Sequence, residues 1–75
     1  MVALSTTQTL GATLRAARKR MGLTQSELAL AAGVGVRFVV DLEAGKPTVR
    51  LAPVLRVVEA LGGSLQLTGV DADGH

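Results

Sequence analysis

The chain contains no cysteine, which excludes disulfides and thiolate metal sites as sources of stability. Its one histidine, His75, is the last residue, so a histidine-based metal site is not expected either. Seventy-five residues suffice for one small domain, and a core of that size is marginal on its own. We therefore expect association with a second copy of the chain to add the missing stability.

Long apolar runs and aromatic residues are also lacking. Phe38 is the single aromatic residue, although 48% of the chain is apolar. The apolar runs fall far short of the roughly 20 residues that cross a bilayer, so no membrane span is predicted. Residues 1–8 have no basic residue ahead of an apolar stretch, unlike a secretory signal peptide. We expect a soluble, cytoplasmic protein.

Positive charge is concentrated in the first part of the chain. The net charge is only +2, but all eight lysines and arginines and four of the six acidic residues precede Gly62. That part carries +4, whereas Asp71 and Asp73 give the tail −2. A compact domain with excess positive charge is suited to contact phosphates.

Two short helices joined by a glycine turn are predicted within residues 24–43. Thr24 and Glu27 have the spacing of a capping box, which fixes a helix start. Gly33 can take the positive φ that ends this helix, and a second helix begins near Val36. Such a pair forms a helix-turn-helix, whose second helix can enter a DNA major groove. The residues expected to face inward are Leu28, Ala29, Val39 and Leu42.

One further helix is predicted on each side of this pair. Over residues 8–21, apolar residues recur at the spacing of one helix face, and Gly22 ends the helix. A fourth helix spans about residues 51–61, with Pro53 tolerated in its first turn. The inward stripes are expected to be Leu10, Leu14, Ala17 and Met21 on the first helix, and Leu51, Val54, Leu55, Val58 and Leu61 on the fourth.

A short strand is predicted after the fourth helix. Residues 64–68 alternate apolar and polar side chains, which is typical of a half-buried strand. No second convincing strand is predicted, and an unpaired strand is not stable alone. The simplest partner is the same strand of a second copy, paired antiparallel about a two-fold axis. Residues 2–4 are a weaker partner within the chain.

The helix-turn-helix residues resemble those of the Xre or phage-repressor family. The continuation over residues 45–62 and the strand after it are similar to the HipB-like antitoxins within that family, and the resemblance spans about residues 10–67. The residues that carry it are Leu23-Thr24-Gln25, Glu27-Leu28-Ala29, Gly33-Val34, Val39, Leu42-Glu43 and Gly45-Lys46.

This resemblance implies a mainly α fold. The expected architecture is a lambda-repressor-like four-helix domain plus one short C-terminal β-strand that pairs across a homodimer. Residues 1–7 are then a flexible N-terminal arm, 8–63 the helix-turn-helix DNA-binding domain, 64–70 the dimerisation strand and 71–75 a polar tail. Dimer contacts are expected from Val57, Leu61, Leu65 and Leu67.

Arg37 is the first candidate for reading a base. It lies at the start of the recognition helix, the end that points at base edges, and arginine is the commonest bidentate reader of guanine O6 and N7. Val36 beside it can contact a thymine methyl group. Asp41, one turn further on, has two interpretations. It either accepts a hydrogen bond from cytosine N4 or orients Arg37 through an i,i+4 ion pair.

Several polar side chains are candidates for phosphate contacts. Gln25 lies in the first turn of a helix, where free N–H groups favour a phosphate. The resemblance implies that it contacts the DNA backbone; solvated helix surface is the alternative. Lys46 and Arg50 flank a loop that runs beside the backbone in the resembling family, and Arg15 and Arg18 on the first helix are expected to act likewise. Each cation alone is better explained as a solvated charge, but together they fit backbone contacts.

The recognition helix is unusually apolar. Phe38 is expected to be buried between this helix and the fourth helix or a partner copy. Val40 is left open as core, interface or DNA-facing. Glu43 is expected to be structural, either pairing with Arg18 or capping a neighbouring helix.

The leading functional hypothesis is a homodimeric transcriptional regulator that binds double-stranded DNA sequence-specifically. The resemblance sharpens this to an antitoxin that represses its own operon and binds a HipA-like kinase-fold toxin. The alternative is a protein-interaction module that has kept the fold but has little or no DNA binding, as the apolar recognition helix suggests. An enzyme is not expected, because no serine has a histidine base near it in sequence. No cofactor is expected.

Overall fold

The computed structural model describes residues 6–66 of the chain. These residues form the four helices predicted, which confirms the mainly α helix-turn-helix architecture. No helix in this part of the chain has the length and apolar character needed to cross a membrane. The helices are α1 (Thr7–Arg20), α2 (Gln25–Ala32), α3 (Val36–Glu43) and α4 (Leu51–Ala60).

Local sequence signals set the helix ends. Thr6 caps α1, and its Oγ1 accepts from the Thr9 N–H at 3.0 Å. The capping box of α2 is formed as predicted: the Glu27 N–H donates to Thr24 Oγ1 at 3.0 Å, and the Thr24 N–H donates to Glu27 Oε1 at 2.8 Å. Gly33 ends α2 with φ +71°, which a glycine adopts without steric strain.

The core lies where α2 meets α3 and α4, with α1 packed against α3. The largest fully buried side chains are Leu28, Val39, Leu42 and Val57. The predicted inward residues of the helix-turn-helix are confirmed, since Leu28, Ala29, Val39 and Leu42 are all buried. This packing holds α2 and α3 in a fixed relation to each other.

The inward face of α1 agrees with the predicted one in part. Leu14 is buried and Leu10 packs against the core as predicted, but Met21 is 51% exposed, and Gly11 and Arg18 are buried as well. Gly11 permits a close approach to the end of α3, where a Cβ at this position would lie 2.4 Å from the Leu42 carbonyl oxygen. The helix therefore turns its glycine face, and with it Arg18, towards α3.

The inward face of α4 also differs from the predicted one. Val54 and Val58 are buried as expected, but Leu51 is 66% and Leu55 is 42% exposed. Pro53 and Val57 are buried in their place. The prediction failed because apolar residues cover more than half of this helix, so their spacing fits two overlapping faces.

Val57 does not contribute to a dimer interface, because it is fully buried within its own protomer. Of the other residues predicted at that interface, Leu61 is half-buried and Leu65 is 39% exposed. Leu67 lies outside the described residues, as do the arm up to residue 5 and the tail. Residues 64–66 have no regular secondary structure, and the rest of the predicted strand lies beyond them. Strand pairing across a dimer stays a prediction.

Candidate nucleic-acid interface

The first turn of α3 presents Val36 and Arg37 to solvent. Gly35 precedes it as the N-cap residue, with extended backbone and no side chain to cap the helix. Val36 is 46% exposed and the Arg37 side chain is 83% exposed. Since a base edge can be reached only by an exposed side chain, both predicted base-reading residues are available for such a contact.

Asp41 joins two cations on this side of α3. Its Oδ1 lies 3.3 Å from Arg37 Nε, and its Oδ2 lies 3.5 Å from Lys46 Nζ. The Lys46 N–H also donates to the Asp41 carbonyl oxygen at 3.0 Å, which fixes the start of the following loop. We call Arg37, Asp41 and Lys46 the outer cluster. Of the two interpretations of Asp41, the i,i+4 ion pair with Arg37 is the one present in the structure.

A second polar group, the inner network, connects α1, α2 and α3 through Arg18, Gln25 and Glu43. The Arg18 guanidinium donates from Nε to Glu43 Oε2 at 2.7 Å and from Nη2 to Oε1 at 3.0 Å. Its Nη1 donates to the Leu23 carbonyl oxygen at 2.7 Å. Gln25 Nε2 donates to Glu43 Oε1 at 3.2 Å. The predicted pairing of Glu43 with Arg18 is confirmed.

The ion pair within the inner network is buried. The side chains of Arg18 and Glu43 are only 10% and 3% exposed. The hydrogen bonds to Glu43 raise the pKa of Arg18 above its ordinary value and the charge of Glu43 adds to this, while burial acts in the opposite direction. Both effects of Glu43 favour the charged guanidinium, and Glu43 is its buried counter-ion.

Arg18 was predicted to contact phosphates, and the structure corrects this prediction. All three of its guanidinium nitrogens donate to groups within the protein. The residue is also buried against α3, because the close approach at Gly11 turns this face of α1 inward. Its role is to hold α1 to the C-terminal end of the recognition helix.

Gln25 is positioned by the inner network. Its side chain is half-buried at the start of α2. A primary amide has two N–H donors, so one remains for another acceptor after the bond to Glu43 is formed. Sequence patterns do not predict this bond, since its partners are 18 residues apart. The capped helix start and the held amide are compatible with the predicted phosphate contact.

Of the remaining site residues, Arg15 and Arg50 are exposed, and the ion pairs described for residues 6–66 do not include them. They lie on α1 and at the N-cap position of α4. Phe38, predicted to be buried between α3 and α4 or a partner copy, is half-buried and packs against the core. Val40 is half-buried.

Comparison with known proteins places this geometry in a family. Residues 14–67 match the sequence model of the family described as Helix-turn-helix. The uncharacterized HTH-type transcriptional regulator y4mF of Sinorhizobium fredii (strain NBRC 101917 / NGR234) is 50% identical over 64 residues. The aligned part covers 85% of this chain and 84% of that relative.

Two solved structures have a similar fold. HipB in a complex with the O4 20mer superimposes with a TM-score of 0.83 at 24% identity, over 96% of this chain and 99% of that one. The complex of HipA, HipB and O2-O3 contains a chain that superimposes with a TM-score of 0.85 at 21% identity, over 95% of this chain and 100% of that one. At this level of identity the similarity is one of fold. The family match and the curated relative each cover most of the chain, and the protein is therefore a member of the helix-turn-helix family of transcriptional regulators.

Proposed function

We propose that the protein binds double-stranded operator DNA sequence-specifically through the first turn of α3. The observation that carries this proposal is the position of Arg37, an 83% exposed arginine at the N-terminal end of the second helix of the motif. Val36 extends the same surface with an apolar contact, and Gln25 is held at the start of α2 for a phosphate. Lys46, Arg50 and Arg15 add exposed positive charge.

Two features support rigid presentation of this surface. The inner network ties the C-terminal end of α3 to α1, and the core side chains Val39 and Leu42 fix its inner face. A recognition helix that is held in place before binding loses little conformational freedom when DNA is bound. The apolar residues of α3 thus belong mainly to the core, which leaves Arg37 as its principal reader.

The protein acts as a homodimer in this proposal. Leu51, Leu55 and Leu65 are exposed leucines that a second copy can cover, and a core of this size gains stability from association. Two recognition helices related by a two-fold axis then meet half-sites about one helical turn apart. The predicted C-terminal strand completes the dimer.

Dimerisation can be tested by removing residues 64–75. We expect sedimentation to report a dimer for the full chain and a shift towards monomer for the shortened chain. The double variant Leu51→Ser/Leu55→Ser, in the full chain, separates the contribution of α4 from that of the strand. An unchanged dimer in both proteins would contradict this part of the proposal.

We further propose that the protein is an antitoxin that represses its own operon and binds a HipA-like kinase-fold toxin. The support is the similarity of its fold to HipB chains solved with O4 DNA and with HipA. Co-expression with the protein encoded by the neighbouring gene tests it. We expect a stable complex on size exclusion that still binds the DNA upstream of the gene pair. Repression without any complex would leave a simple regulator.

The alternative, a protein-interaction module with little DNA binding, is favoured by a different observation. Leu30 on α2 is 85% exposed, which leaves a large apolar side chain on the surface of the motif. Selection from a pool of random duplexes discriminates the two functions. We expect enrichment of a two-fold symmetric sequence, with an affinity that falls steeply as salt is raised. No enrichment and weak, salt-insensitive binding would favour the interaction module.

A further inference from the structure

We propose that Asp41 sets the ratio of specific to non-specific DNA binding by competing with DNA phosphates for Arg37 and Lys46. The inference rests on the proposed DNA-reading role of α3. It assigns a purpose to an acidic residue in the middle of a surface that is otherwise suited to a polyanion. The carboxylate uses one oxygen for each cation, at 3.3 Å and 3.5 Å.

The helix dipole does not explain this residue. Asp41 is the sixth of the eight residues of α3 and lies near its C-terminal end. A carboxylate there faces the negative end of the helix dipole, which is unfavourable. Within residues 6–66, the ion pairs of its side chain are the two in the outer cluster. Asp41 therefore acts on the charges of its two neighbours.

The outer cluster can open when DNA arrives. Arg37 and Lys46 are 83% and 53% exposed, and ion pairs between exposed side chains are weak. In the closed cluster the two cations are partly neutralised, so DNA phosphates compete with the carboxylate for them. Non-specific binding depends almost entirely on phosphate contacts, so this competition reduces its affinity in full.

A specific site can offset the same penalty. There Arg37 exchanges Asp41 for the bidentate acceptors of a guanine, which phosphates at random positions do not provide. The released carboxylate can also accept a hydrogen bond from cytosine N4, whereas next to a phosphate it is only repelled. Asp41 thus weakens binding to arbitrary DNA more than binding to the operator, and specificity rises without an additional base contact.

Asp41→Asn removes the charge and keeps the shape of the side chain. Its matched control is Glu59→Gln, which removes one negative charge from the exposed residue Glu59 on α4. The two probes are a duplex selected from a random pool by the unaltered protein and an alternating adenine-thymine duplex of the same length, which has neither guanine O6 and N7 nor cytosine N4. Fluorescence anisotropy over a range of salt concentrations gives affinity and salt slope for each protein.

We expect Asp41→Asn to bind the non-specific duplex about fivefold more tightly, since one weak repulsive and competing charge is removed. The slope of log affinity against log salt should steepen by roughly one for each cation released to a phosphate. Affinity for the selected duplex should change by less than about twofold, so the specificity ratio falls. Glu59→Gln should leave the ratio unchanged.

The double variant Arg37→Ala/Asp41→Asn tests whether Asp41 acts through Arg37. Relative to Arg37→Ala alone, we expect the loss of specificity on changing Asp41 to shrink to less than about twofold. Asp41→Ala repeats the experiment should Asp41→Asn fold poorly. Equal changes in Asp41→Asn and Glu59→Gln, or an unchanged ratio in both Asp41 variants, would overturn the inference. If no duplex is enriched at all, the proposed function fails and this inference fails with it.

Discussion

Two carboxylates of α3, Asp41 and Glu43, lie two residues apart and serve opposite purposes. Glu43 is 3% exposed and holds Arg18 at 2.7 Å, with a second acceptor role towards Gln25. Asp41 is 20% exposed and faces two well-exposed cations at longer distances. The difference follows from burial, because breaking a desolvated ion pair costs much more free energy than breaking a solvated one. The inner network fixes the recognition helix, and the outer cluster leaves its surface free to respond to DNA.

The largest expected effect comes from Glu43→Ala. Removing one partner of a buried ion pair leaves the other charge uncompensated, and we expect a loss of about 3–5 kcal/mol in the free energy of unfolding. Asp41→Ala is the matched change in the outer cluster and should cost less than about 1 kcal/mol. Urea unfolding followed by circular dichroism measures both. Equal losses would abolish the distinction between the two regions.

Gly11→Ala tests the close approach that turns Arg18 inward. Helix propensity alone predicts that alanine stabilises α1 by about 0.5–1 kcal/mol. The added Cβ would lie 2.4 Å and 2.8 Å from backbone carbonyl oxygens of Leu42 and Glu43, however. We therefore expect a net loss of about 1–3 kcal/mol.

Gly63→Ala is the control for this change, because its Cβ would meet Val58 at an ordinary 3.5 Å. It should be neutral or slightly stabilising in the same thermal or urea unfolding measurement. A stabilised Gly11→Ala protein would mean that α1 does not depend on this contact for its orientation.

Arg37→Ala tests whether the exposed arginine of the outer cluster reads a base. Binding to the selected duplex should weaken by about 1–3 kcal/mol, because a bidentate base contact is lost, while binding to non-specific DNA should change little. The exposed side chain contributes little to folding, so unfolding should be unaltered within about 0.5 kcal/mol. Anisotropy on both duplexes checks the prediction. Equal weakening on both would make Arg37 a phosphate contact.

Gln25→Ala has the smallest expected effect. This residue is bonded to the inner network and is also proposed to contact a DNA phosphate. Loss of the hydrogen bond to Glu43 should reduce the free energy of unfolding by about 1 kcal/mol. Loss of a phosphate contact should weaken binding to specific and non-specific duplexes alike. Ser26→Ala, at the exposed next position, is the control. Weakening confined to the selected duplex would assign Gln25 to base reading.

The sequence predicts the helix-turn-helix well because its signals are local. Thr24 and Glu27 cap each other within one turn, and Gly33 ends the same helix. The buried positions of α2 and α3 follow from helical spacing in segments where polar residues mark the outer face.

The orientation of α1 and α4 could not be obtained in this way. On α4, apolar residues cover both possible faces, so Leu55 and Val57 are equally good candidates until the neighbouring helices choose between them. On α1, Gly11 allows a close approach to α3, and Arg18, which spacing assigns to the surface, is buried on the same side. Both outcomes depend on tertiary contacts.

Some features of the candidate site could likewise be predicted from the sequence, and others could not. The exposure of Val36 and Arg37 follows from their place at the start of α3, and the pairing of Arg37 with Asp41 follows from their separation of four residues. The bond from Gln25 to Glu43 and the link from Asp41 to Lys46 both need the folded chain, since they depend on how α2 and the loop after α3 return to that helix.

The claim that the outer side of α3 meets DNA is tested most directly by backbone amide NMR. The selected duplex is titrated into the isotope-labelled protein, and amide shifts are followed residue by residue. We predict the largest shifts at Gln25, Val36, Arg37 and Lys46, with the buried core residues of α4 little affected. Shifts confined to α4 and the outer side of α1, with α3 unchanged, would contradict the account.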